Sequence, residues 1–191
     1  MSEDHSILTS ASNLHSDIDR FDGKTTDSLV EISARYMGDP EYVSELLSVI
    51  SGNNPRHQTA GTWLIKRYVE EGKRVEGAEV EALAAASHSL AAFEAQLHVL
   101  QIVDRLTLTE TSANDLSALA AASLHSHRAL LRAWAFDALV ALAEYDERFS
   151  DAAALASKVA LEDSAASVRA RVRRRGVVKR APFRSIGGAN A

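Results

Sequence analysis

Three groups of residues have the types and spacings that chemistry needs. Glu94, His98, Gln101 and Arg105 stand at i, i+4, i+7 and i+11. On a helix these positions share one face and would form a polar stripe. Trp134 and Asp137 stand one helical turn apart, setting a carboxylate suited to activating water beside an aromatic ring. Arg169, Arg171, Arg173, Arg174 and Arg175 fall within less than two turns, and their guanidinium forks suit phosphates and carboxylates alike. His88, His125 and His127 lie near expected turns. No His-x-x-x-His pair or His-Glu-x-x-His run accompanies them, so no metal site is expected.

Composition narrows the classes these residues can serve. The 191-residue chain is 46% hydrophobic and 25% charged, with much alanine and three prolines, as suits long helices in one soluble domain. It has no cysteine, which excludes thiol catalysis, disulfides and cysteine metal sites. No apolar run approaches the ~20 residues of a membrane span. The acidic N-terminus lacks the basic and apolar regions of a secretory signal. A cytoplasmic protein with no cofactor, metal or catalytic residue is expected. Charge is divided along the chain: residues 165–191 carry +8 and no acid, and the remainder −13, for a net −5. That acidic body would repel a long duplex.

The elements that position these residues repeat. Residues 82–87 read ALAAAS, and residues 118–123 read the same letters 36 positions later. Another 36 on, Ala154-Leu155-Ala156 restates the first half, and 36 before, Leu47 and Ser51 match Leu83 and Ser87. A fixed period of this size signals a stacked array of repeats. Asp39-Pro40 and Asn54-Pro55 have the pattern of a helix cap followed by proline at the first helical position. Ser112 with Asp115 has capping-box spacing. These signals predict helix pairs, with second helices in one register at Ala60, Ala95, Ala133 and Ala170. On this reading Leu83, Leu119 and Leu155 are equivalent and buried.

Paired helices at this period resemble HEAT-like repeats. Asp163-Ser164-Ala165-Ala166-Ser167-Val168-Arg169-Ala170 is similar to the family's turn Asp followed by Val-Arg-x-x-Ala, and Leu131-Arg132-Ala133 repeats its core. Thr59 and Glu94 stand where repeats one and two would carry the arginine. The resemblance spans about residues 39–178. It implies an all-α, right-handed α-α superhelix of about four pairs. It also implies a scaffold or adaptor, because most HEAT-like proteins are such. A few are pigment-lyase chaperones or DNA alkylpurine glycosylases, and Trp134 with Asp137 is loosely similar to the latter's Trp and Asp.

The resulting expectation is a flexible acidic segment over 1–26, a repeat domain over 27–178 and a basic tail over 179–191. The function expected is non-catalytic binding of a protein partner. Its candidate surface is Trp63, Lys66, Glu94, His98, Gln101, Arg132, Phe136, Arg169, Arg171, Arg173 and Arg174. The alternatives are nucleic-acid binding through the arginine helix and, last, glycosylase chemistry.

Overall fold

A computed structural model describes residues 13–176. The expected tail at 179–191 and residues 1–12 of the expected flexible segment lie outside the described residues. Among the described residues there are ten α-helices and no strand: α1 (13–19), α2 (Asp27–Tyr36), α3 (Tyr42–Ile50), α4 (Pro55–Glu70), α5 (Ala78–Ser87), α6 (Phe93–Leu100), α7 (Glu110–Ser123), α8 (Ala129–Tyr145), α9 (Ser150–Leu161) and α10 (Ala166–Arg175).

Local chemistry sets most of the boundaries. The Asn54 side chain accepts from the Arg56 N–H, and Pro55 opens α4. Thr109 and Ser112 form a reciprocal capping box at the start of α7. The box therefore uses Ser112 as its third helical residue, not as the cap expected with Asp115. Gly176 ends α10 at φ 94°, a conformation that strains any residue with a Cβ. Gly61 serves another purpose: a Cβ there would sit 2.7 Å from Ile50 Cγ1, so its hydrogen lets α3 and α4 approach closely.

The helices pack against their neighbours in a regular order. Second helices form one row, α4 on α6, α6 on α8 and α8 on α10, while α3 packs on α5 and α5 on α7. The Leu83/Leu119/Leu155 expectation fails at its third member. Leu83 and Leu119 are 1% and 8% exposed, but Leu155 is 62% exposed. The buried faces are Val43, Leu46, Leu47, Ile50; Val80, Leu83, Ala84, Ser87; Leu116, Leu119, Ala120, Ser123; and Ala153, Ala156, Ser157, Ala160. Their spacings are 37, 36 and 37, so Ala156 rather than Leu155 is the counterpart of Leu119. The small residues of α9 let it approach α8 and α10 closely. Leu119→Ala should cost about 2–3 kcal/mol and Leu155→Ala almost nothing, as read by urea denaturation. Equal losses would restore the 36-residue register.

A repeated side-chain bond registers the second helices. The fourth residue of each reaches back six positions to a turn carbonyl. Gln58 Nε2 donates to Gly52 O, Gln96 Nε2 to Leu90 O, Arg132 Nη1 to Ser126 O and Arg169 Nη1 to Asp163 O. Two of the four also reach the next pair's turn: Gln58 to Ser89 O and the Ala91 N–H, Arg132 to the Asp163 carboxylate. These bonds satisfy turn groups that would otherwise lack partners. Gln58 and Gln96, not Thr59 and Glu94, thus take in α4 and α6 the places that Arg132 and Arg169 take in α8 and α10.

Within the described part of the N-terminal segment, residues 13–21 pack on the fold. Leu14, Ile18 and Phe21 are buried, and Asp17 accepts from Arg35 and Tyr36 of α2. The cause is legible: 14, 18 and 21 are i, i+4 and i+7, one apolar helical stripe.

Candidate functional site

Counting from the four registering residues shows which candidates share a surface. Two positions before them lie Glu94, Leu130 and Ser167; two after, His98, Trp134 and Arg171; five after, Trp63, Gln101, Asp137 and Arg174. These columns are only partly open: Ala60 is buried and His98 turned inward, and the unburied aromatic and cationic groups are Arg56 and Trp63 on α4 and Trp134, Arg171 and Arg174 on α8 and α10. Gln101 lies just past the end of α6, and Arg105 belongs to a separate 3-10 turn, Val103–Arg105. The stripe expected from Glu94 to Arg105 is therefore broken after Leu100.

The other candidates fall elsewhere. Phe136 is fully buried in the core and presents no surface. Arg132 and Arg169 are held by the turns. Lys66 pairs with Glu70 at 2.7 Å, and the Arg67 guanidinium lies 6.0 Å from the Trp63 ring. Among the histidines, His88 Nε2 lies 2.9 Å from Asp115, and His125 and His127 are exposed.

His98 is turned inward, its Nδ1 3.1 Å from Thr62 Oγ1 across α4 and α6. Burial, reinforced by the nearby Lys66 charge, pushes its pKa down to about 4. The unfolded chain takes up this proton near pH 6.5, whereas the native protein does so only near pH 4. Stability should therefore fall as pH drops from 6.5 towards 4, by about 1.4 kcal/mol per unit. The whole window amounts to about 3 kcal/mol. In His98→Gln the slope between pH 6.5 and 5 should vanish. An unchanged slope would assign the effect to other groups.

The arginine helix is less free than its sequence implies. Val168 and Val172 dock α10, as expected. Arg171 pairs with Asp137, and its guanidinium lies 3.8 Å from the Trp134 ring centre. Arg175 pairs with Glu144 at 3.1 Å. Arg173 and Arg174 are exposed. Arg173 is the counterpart of buried Phe136, and is exposed because no further described helix packs on α10. Changing Arg171 to Glu would set two carboxylates together, so Arg173 and Arg174 alone can be reversed without cost to folding.

Two spaces flank the Trp134–Asp137–Arg171 cluster. One is a cavity of about 20 Å³ lined by Leu100, Trp134, Asp137 and Arg175, room for a single water. Asp137 Oδ1 is buried with no hydrogen-bond partner among the described residues. The other is an open groove of about 590 Å³ between α8 and α10. It is floored by Ala129, Leu130, Ala133 and Ala170 and edged by Arg171 and Arg174. The sequence reading missed Leu130, which lies one residue before the apolar column it tracked through Leu131. The available signal was its i, i+3 spacing with Ala133. Comparison with protein-family models, curated proteins and solved structures finds no match for the chain.

Proposed function

We propose that the chain is a HEAT-like stack of helix pairs acting as a non-catalytic scaffold, with a protein partner bound on the second-helix face. The observation that carries this reading is the open groove where exposed Leu130 meets the unpaired Arg174 and the Arg171 guanidinium that stacks on Trp134. Aromatic and arginine anchors around an apolar centre are what protein interfaces use. The repeated turn bonds and the 37, 36, 37 spacing support the stacked-repeat part. The glycosylase reading is disfavoured because Asp137 is bound by Arg171 and faces a cavity of about 20 Å³, too small for an extruded base.

Photocrosslinking in the native cell tests this. A benzophenone side chain at Glu94 or Ser167 should give a protein adduct, and one at Ser44, on a first helix, should not. A nuclease-sensitive adduct would make nucleic acid the partner. Release of alkylated bases from DNA by the purified chain, lost in Asp137→Asn, would make it an enzyme.

A further inference from the structure

The groove between α8 and α10 combines features that specify an occupant. Its floor is apolar, and Leu130 remains 52% exposed on it. One wall carries Arg174, which no carboxylate neutralises among the described residues. The floor residues run along two neighbouring helices: Ala129, Leu130 and Ala133 on one, Ser167, Ala170 and Arg174 on the other. Small residues at Ala133 and Ala170 leave a trough that would accept the side chains of a third helix.

We infer that this groove binds an acidic amphipathic helix of a partner protein, its apolar stripe on Leu130, Ala133 and Ala170 and its carboxylates on Arg174. The inference deepens the scaffold reading and depends on it. Charge complementarity selects the occupant: the α10 wall carries the unneutralised Arg174 and, among the described residues, no carboxylate lines the groove, so a basic or neutral helix is repelled or unrewarded. An apolar floor favours a helix over a phosphate chain, which would use the arginines but leave Leu130 idle.

The test uses the whole chain and fluorescence anisotropy with three synthetic peptides. One is a helix of glutamates with leucines at i, i+3, i+4 and i+7. A second replaces its glutamates by lysine, and a third its leucines by serine. The first peptide should bind, more weakly as salt rises, and both twins should lose on the order of tenfold or more in affinity. Leu130→Ser and Arg174→Glu should each weaken the first peptide by a similar factor, while circular dichroism shows both variants folded. Binding of the glutamate–serine twin equal to the first would reduce the groove to a charge patch and overturn the inference. So would no binding, or binding indifferent to both substitutions. Tighter retention of single-stranded DNA than of the first peptide, lost in Arg174→Glu, would assign the groove to nucleic acid. If the peptides fail while Glu94 still crosslinks to a protein, the groove assignment falls and the scaffold reading stands.

Discussion

Asp163→Ala should destabilise the protein by about 3 kcal/mol or somewhat more, at the low end for breaking a largely buried pair. Asp163 receives Arg132 Nε at 2.6 Å and Nη2 at 2.8 Å, and it caps the Ala165 N–H at 2.7 Å. Its side chain is 7% exposed and that of Arg132 16%. The mutation removes three bonds and leaves Arg132 without its carboxylate in a place with little water. The hydrogen bonds from Arg132 also hold the Asp163 pKa below the ordinary carboxylate range, with the Ala165 N–H adding to the effect. A carboxyl lowered on folding stabilises the native state above its unfolded value near pH 4. That contribution is lost as pH falls through the folded value. Guanidinium titrations at pH 7 and pH 3 should therefore show wild type and Asp163→Ala far apart at the first and closer at the second. A difference below about 1 kcal/mol at pH 7 would mark the pair as an ordinary solvated one.

Phe136→Ala should have the largest effect, about 3–5 kcal/mol, because a fully enclosed aromatic side chain leaves a cavity its neighbours fill only in part. The denaturation midpoint should fall without a change in m-value. Had Phe136 stood on the binding face, its removal would have weakened a complex and spared the fold. A loss under about 1 kcal/mol would return it to the surface.

The burial of Phe136 and the turn bonds of Arg132 bear on how helices are aligned along the chain. Alignment of Ala60, Ala95, Ala133 and Ala170 gave spacings of 35, 38 and 37, whereas the registering bonds give 38, 36 and 37. The first step is out by three residues, close to one helical turn, so apolar matching barely distinguishes the two alignments. A hydrogen bond from the fourth helical residue to a turn carbonyl does distinguish them, because its reach is fixed. The second step is out by two, 38 for 36, and set Phe136 beside His98 as a surface counterpart, while a one-residue slip in the first helices, 36 for 37, made Leu155 the partner of Leu119.

What the sequence alone determined is the local part: all-helical structure, the turns at Asn54-Pro55 and Glu162–Ser164, the near-36-residue period and the docking of α10 through Val168 and Val172. These follow from caps, prolines and apolar spacing, which act within a few residues. Tertiary structure alone decided which arginines are free. Arg171 and Arg175 find carboxylates on α8, 34 and 31 residues away, and Arg169 is consumed by its own turn. It also decided that Leu130 stays open to the groove while Leu131 is buried, since adjacent residues on a helix point about 100° apart and only the neighbouring helix determines which of them is covered.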